Sequence, residues 1–277
     1  MTTLASKGSR LLPAVLDRIG TETPERIYAS VPRSHDISDG FRDITHGQIL
    51  RGVDALATWI TDNFGVSKSF ETLAYTGIAD LRYTLMFYAA VKCGYKILLP
   101  SARNPTLQNV SLLQQTNCTR LFHSPELANL AKELQASVDN GLDIVEIAPF
   151  DHWVDAYQRP YPFTKSFEEA RFDPVLILHS SGSTGAPKPI TQTHQYFANN
   201  DRQLPKVPGR MTAGNELWDY EGGGYFFSPF PPYHLAGFMS YVYHPAFNRE
   251  CSLLLGFSDR PALPELVSIS LNLEGLN

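Results

Sequence analysis

The sequence has little cysteine, no sustained apolar run and no concentration of positive charge. Cys93, Cys118 and Cys251 are odd in number and widely separated, which gives neither a disulfide framework nor a metal-ligand spacing. They suit a reducing, cytoplasmic setting. The eight histidines are scattered and form no His-Glu-x-x-His pattern, so a zinc site built by the protein is not expected. No stretch approaches the ~20 apolar residues of a membrane span. The short run Leu11 to Leu16 is interrupted by Pro13 and has no convincing cleavage site behind it, so a secretory signal is not expected there. Lys and Arg total 23 against 28 Asp and Glu, a net charge of −5, with no recurring basic cluster. Neither nucleic acid nor an anionic membrane is therefore an expected partner. Internal repeats, low-complexity tracts and the Gly-x-Gly-x-x-Gly dinucleotide fingerprint are also absent.

What the sequence does have is enough apolar residue, 43% of 277, to bury one large domain or two small ones. One stretch organises the rest. Val175 to Leu178 reads as a buried strand, and His179-Ser180-Ser181-Gly182-Ser183-Thr184-Gly185-Ala186-Pro187-Lys188-Pro189-Ile190 follows at its carboxyl end. In open α/β sheets ligands bind at that end. Gly182 and Gly185 let the backbone turn and expose consecutive N–H groups, Ser180, Ser181, Ser183 and Thr184 add hydroxyls, and Lys188 adds a mobile cation. These groups suit a polyphosphate. A flexible Ser/Gly-rich loop is the competing reading of composition alone, and Pro187 and Pro189 argue against it. The nucleoside-triphosphatase loop ending Gly-Lys-Ser/Thr is excluded, because Lys188 stands between two prolines.

Along the chain, Thr45 and Gln48 have the spacing of a capping box and Ile44 can staple onto Ile49. Apolar residues at Ile49, Val53, Leu56, Trp59 and Ile60 then predict a helix to about Asn63. Leu73 to Thr76 reads as a strand, Ala79 to Cys93 as an apolar helix stopped by Gly94, and Tyr95 to Leu99 as a strand ending at Pro100. Tyr83, Phe87 and Tyr88 are expected in the core. Asn104 is expected to cap a helix with Pro105 as its first residue, and Arg103 to be a solvated turn residue. Strands over Arg120 to His123 and Asp143 to Ile147 flank a helix from about Pro125 to Val138. The alternation predicts an α/β layer structure with a largely parallel sheet.

Asp151 to Phe172 reads as a long surface connection. Beyond the loop, Ile190 to Gln192 returns as a hairpin partner, and Thr193 caps a helix from His194 to about Leu204, with His194 at the surface. Glu216, Asp219 and Glu221 lie in a Gly/Pro-rich stretch whose spacing matches no metal loop. After a strand over Tyr225 to Ser228 comes Pro229-Phe230-Pro231-Pro232-Tyr233-His234-Leu235-Ala236-Gly237, in which prolines stiffen a turn and a helix starts at Ala236 or Gly237. Taken alone, His234 reads as a packing histidine.

The ordered string Ser-Ser-Gly-Ser-Thr-Gly-Ala-Pro-Lys over 180–188 resembles the phosphate loop of the adenylate-forming superfamily, which includes acyl-CoA synthetases, luciferases and adenylation domains of nonribosomal peptide synthetases. His179 and Pro189-Ile190 resemble the variant in fungal nonribosomal-synthetase-like carboxylate and aminoadipate reductases. The helix-Gly-strand-Pro passage and Tyr233-His234-x-x-Gly237 are similar to further superfamily motifs in the same order, while His46 and Gln48 depart from the first one. The resemblance implies the N-terminal part of the adenylate-forming fold, with a lead-in over 1–40, a partial adenylation domain over 41–266 and a tail over 267–277. It implies ATP and Mg2+ as cofactors and a small carboxylic acid as substrate, activated as an acyl-adenylate. A carrier protein or a complementing polypeptide is the implied partner.

In that scheme Ser180, Ser181, Gly182, Ser183, Thr184, Gly185 and Lys188 hold the nucleotide phosphates. Thr184, Lys188 and His234 serve catalysis, and Phe230, Tyr233 and His234 contact the acid. The superfamily's aromatic-Gly-x-Thr-Glu and Thr-Gly-Asp segments and its late lysine do not occur in this sequence. Impaired activation, or a non-catalytic module derived from such a domain, is the matching expectation.

Overall fold

The structure is a computed structural model and describes residues 6–139, 141–156, 159–180, 187–201, 224–247 and 251–256. Residues expected in a lead-in enter the core instead. Helix α1 (Leu12–Glu22) carries Pro13 in its first turn, where a missing N–H costs no hydrogen bond, and buries Leu12, Val15, Leu16 and Ile19. Strand β1 (Ile27–Pro32) pairs antiparallel with β2 (Phe41–Thr45).

The capping box is formed in full at the start of α2 (His46–Phe64): Gln48 N–H donates to Thr45 Oγ1 at 3.2 Å, and Thr45 N–H donates to Gln48 Oε1 at 2.9 Å. The predicted stripe is buried at Ile49, Val53, Leu56 and Ile60. After β3 (Thr72–Thr76), helix α3 (Arg82–Lys92) starts later than Ala79, because Asp80 Oδ1 accepts the Arg82 amide at 2.9 Å and holds a turn in front of it. Every residue of α3 is buried, including Tyr83, Phe87 and Tyr88. Gly94 takes the left-handed conformation, φ +79°, and a Cβ there would sit 2.4 Å from Ser67 O. Strand β4 (Lys96–Leu98) follows.

Pro105 is the cap of α4 (Thr106–Gln115) rather than its first residue, and Asn104 does not cap it. The Asn104 side chain donates instead to Asn109 Oδ1 at 3.0 Å. Strand β5 (Arg120–His123), a 3-10 turn, α5 (Ala128–Ser137) and β6 (Asp143–Glu146) complete the alternation. The connection expected over 151–172 is partly helical and partly buried. Its α6 (Phe150–Val154) inserts Trp153 edge-on against Trp59 at 5.8 Å, and its α7 (Phe167–Ala170) starts on a Ser166–Glu169 capping box.

Strand β7 (Pro174–Ser180) and β8 (Lys188–Thr193) form the predicted hairpin, and α8 (His194–Asn200) follows. Next come β9 (Gly224–Phe227), α9 (Leu235–Phe238), a π-helical turn (Met239–Tyr243), α10 (His244–Phe247) and β10 (Cys251–Leu254). The larger sheet has the order β6-β5-β3-β4-β7-β8 and is parallel except for β8. The smaller has the order β2-β1-β10-β9, with β1, β10 and β9 parallel.

Alternation along the central strands divides the interior in two. Leu73, Tyr75, Ile97 and Leu176 join the larger core with α1, α2 and α3. Ala74, Leu98, Leu121 and Ile177 face the smaller one with α4 and α5. This is the expected α/β layering, with helices on both faces of a largely parallel sheet. Among the described residues no helix is long and apolar enough to cross a membrane.

Candidate functional site

The hairpin sets both ends of the Ser/Gly-rich stretch at the carboxyl edge of the larger sheet. Ser180 stands opposite Lys188 and His179 opposite Pro189. Lys188 is exposed, Ser180 half-buried and Pro187 buried, with Pro187 O accepting from Gln115 Nε2 at 3.4 Å. The residues between the stem ends, Ser181, Gly182, Ser183, Thr184 and Gly185, lie outside the described residues.

His179 is tied to the neighbouring turn. Its Nε2 accepts the Ser101 N–H at 3.3 Å, so the ring proton of the neutral form is on Nδ1. The Asn104 amide lies 3.5 Å from the same nitrogen, and Asn109 Nδ2 donates to Ser101 O at 2.9 Å, which braces the turn against α4. Burial lowers the His179 pKa, and His234 lowers it further. The charge of His234, 55 positions further along the chain, thus acts on His179.

His234 occupies the cap position of α9 and is exposed. Its N–H donates to Pro231 O at 3.0 Å and its carbonyl accepts the Phe238 N–H at 2.7 Å. This tight turn explains Gly237: a Cβ there would lie 1.9 Å from Pro231 O. The helix begins at Leu235, one residue earlier than predicted. Phe230 is 52% exposed, whereas Tyr233 is buried, with its ring 5.1 Å from the His234 ring and 6.4 Å from Tyr83. The structure thus brings Ser180, Lys188 and His179 together on one hairpin, and His234 lies near enough for its charge to act on His179.

The turn after α9 is held by Tyr88, expected only as core packing, and by Tyr28 and Thr84, which the sequence does not single out. Carbonyls of this π-helical turn accept hydrogen bonds from buried side-chain hydroxyls. Tyr28 Oη donates to Tyr241 O at 2.6 Å, Thr84 Oγ1 donates to the same carbonyl at 3.1 Å, and Tyr88 Oη donates to Val242 O at 3.2 Å. The signal was a choice of Tyr over Phe at fully buried positions, since a buried hydroxyl needs a partner.

His194, expected at the surface, is buried, with its ring edge-on to Phe163 at 5.7 Å. Burial pushes its pKa down to about 3. Glu216, Asp219 and Glu221 lie outside the described residues. Among the described residues no group of three or more His, Cys, Asp or Glu converges as a metal site.

A family model described as "AMP-binding enzyme" matches residues 17–268. The chain is 34% identical over 267 residues to a carboxylic acid reductase of Neurospora crassa, covering 94% of this chain and 25% of that protein. It is 33% identical over 250 residues to the isocyanide synthase-NRPS hybrid crmA of Aspergillus fumigatus, covering 88% of this chain and 16% of that protein. The chain thus spans a quarter or less of the length of these curated relatives. Among solved structures, it superposes on the inhibitor-bound N-terminal domain of FACL13 from Mycobacterium tuberculosis with a TM-score of 0.70 at 16% identity, over 96% of this chain and 61% of that one. VinN in complex with 3-methylaspartate gives a TM-score of 0.67 at 17% identity, over 89% of this chain and 61% of that one.

Proposed function

We propose, from the premise that the chain belongs to the AMP-binding enzyme family, that it takes part in ATP-dependent activation of a small carboxylic acid as an acyl-adenylate. The observation that supports this reading is the β7–β8 stem, which sets Ser180 opposite Lys188 at the carboxyl end of the sheet. In the proposed reaction the acid's carboxylate attacks the α-phosphorus of ATP and pyrophosphate leaves. Charge grows on the phosphate oxygens, and donors already aimed at them lower the barrier.

In this reading Lys188 and the hydroxyls of Ser180, Ser181, Ser183 and Thr184 bind the departing phosphates, with the amides of Gly182 and Gly185 completing the cradle. His234 orients the acid, and Phe230 and Tyr233 border its pocket. The described residues supply no convergent carboxylate set for Mg2+, so metal binding is not assigned to them. The sequence holds no Thr-Gly-Asp segment, and the polypeptide of these residues is expected to bind ATP weakly and to activate acids poorly. A carrier domain is the proposed acceptor in the full-length context, by analogy with the synthetase hybrid.

The test is ATP binding by calorimetry together with ATP/pyrophosphate exchange across a panel of carboxylic acids. Lys188→Ala is expected to weaken ATP binding by about 10-fold or more, the worth of a charge-assisted contact. Unchanged affinity would remove the phosphate-binding reading, and robust exchange by the isolated chain would overturn the expected impairment.

A further inference from the structure

A cavity of about 330 Å³ opens at the amino ends of β4 and β7, the opposite pole of the sheet from the β7–β8 loop. The length of β7 puts the two ends about 20 Å apart. Its volume falls within the range of small-molecule sites.

The walls differ from floor to mouth. Rings of Phe70, Tyr95 and Phe163 line the cavity and provide flat apolar sides. Phe70 holds a left-handed backbone, φ +56°, with its carbonyl taken by the Lys96 ammonium. At the floor is His194, 2% exposed, which makes a ring contact with Phe163 and no side-chain hydrogen bond among the described residues. A buried imidazole without a partner has an unfilled donor and an unfilled acceptor, which a bound molecule can satisfy. Lys92 also lines the cavity, but Asp17 and Asp54 already hold its ammonium at 2.5 and 2.7 Å.

The mouth is cationic. Lys165 lies 5.2 Å from the centre of the Phe70 ring and pairs with Asp173 at 2.6 Å, so those two charges balance. Lys68 is exposed and has no anionic partner among the described residues. The wall therefore offers an aromatic slot with an unbalanced cation at the entrance and an unsatisfied hydrogen-bonding ring at the base.

We propose that this cavity is a second ligand site, separate from the phosphate-loop region, for a hydroxylated aromatic carboxylate. The carboxylate meets Lys68 at the mouth, the ring lies between Phe70, Tyr95 and Phe163, and the hydroxyl reaches His194. A single-ring acid matches the volume. The assignment stands independently of the adenylate reading, since none of its residues belongs to the hairpin loop or the His234 turn.

The experiment is calorimetric titration of the purified chain with 4-hydroxybenzoate, benzoate and 4-hydroxybenzyl alcohol. The first is expected to bind saturably, and loss of either its hydroxyl or its carboxylate to weaken binding by at least about fivefold, the worth of one hydrogen bond. Val66→Trp places a bulky ring at the mouth from a position that is 50% exposed and is expected to plug the site with little cost to the fold. It should weaken binding by at least about tenfold, as should Lys68→Ala. Thr164→Trp, at another exposed lining position, serves as the second plug if Val66→Trp does not fold. His234→Ala should leave the affinity unchanged. Absence of saturable binding up to about 10 mM, indifference to the plugs, or loss of binding on His234→Ala would each overturn the proposal, the last by placing the acid at the opposite pole.

Discussion

The Tyr83 hydroxyl spans the Gly77 peptide unit on both sides, accepting the Gly77 N–H at 3.1 Å and donating to the Gly77 carbonyl at 3.1 Å. Gly77 follows β3, and its close neighbour is the Tyr75 hydroxyl, which an added Cβ would approach to 2.3 Å. The Tyr83 ring packs edge-on against Tyr75 at 4.7 Å and tilts towards Tyr233, the residue before His234. One phenol thus fixes the loop after a central strand and borders the turn that carries the site histidine.

Replacing this phenol tests that role. Tyr83→Phe keeps the ring and strands two buried peptide groups, so unfolding free energy should fall by about 3 kcal/mol. Urea denaturation reads this as a lower midpoint at unchanged slope. A loss under about 0.5 kcal/mol would mean that the two bonds contribute nothing net.

Gly237 is constrained by space rather than by φ. In Gly237→Ala the new methyl collides with Pro231 O, and either the helix start or the proline turn must move. A cost above about 2 kcal/mol is expected from this overpacking. Ala236→Gly, one residue earlier and exposed, should cost no more than about 1 kcal/mol. Comparable costs for the two would remove the steric explanation of the His-x-x-Gly spacing.

The Lys92 ammonium, fully buried, joins Asp17 of α1 to Asp54 of α2. Lys92→Met leaves both carboxylates without their cation and should cost about 3–5 kcal/mol. Adding Asp54→Leu to that variant should restore part of the loss, because the uncompensated charge rather than the missing pair carries most of the cost. A double variant less stable than Lys92→Met would count against this account.

Stability should also fall on mild acidification. Burial lowers the pKa of His194 to about 3 and of His244 to about 4, against about 6.5 in the unfolded chain. The unfolded state therefore binds more protons between about pH 6.5 and 4, and stability drops as pH falls through that window. Each histidine contributes a slope of about 1.4 kcal/mol per pH unit when its unfolded form is fully protonated and its folded form is not. Urea midpoints measured from pH 7 down to 5 should decline, and His244→Gln should flatten the decline. A midpoint independent of pH over that range would contradict neutral burial of both rings.

Features set by adjacent residues were legible in the sequence. The Thr45–Gln48 box, the Gly94 stop and the β7–β8 hairpin each follow from the chemistry of a few neighbouring positions, and each is present. Features set by distant partners were not. His194 sits in the polar string Thr193-His194-Gln195 and reads as surface, but Phe163 and α8's packing bury it. Trp153 looked like part of a loop because its partner Trp59 belongs to another helix. Tyr88 reads as plain core because the carbonyl it serves lies more than 150 positions along the chain. Of the proposed site, the order Ser180, Lys188, His234 is a reading of the sequence, while the influence of His234 on His179 required the fold.

The smaller sheet places β1 beside β10, with Ala29 in register with Leu253. Its first strand therefore emerges from the ribosome about 220 residues before the partner that completes its hydrogen bonding. At typical synthesis rates that is a wait of about 10–40 s, during which β1 has only β2 to pair with. Tyr28, buried in the finished protein, has no carbonyl of Tyr241 to meet until that time has passed. The edge of β1 thus stays open until β10 has been made, and this half of the molecule closes only after that strand is available.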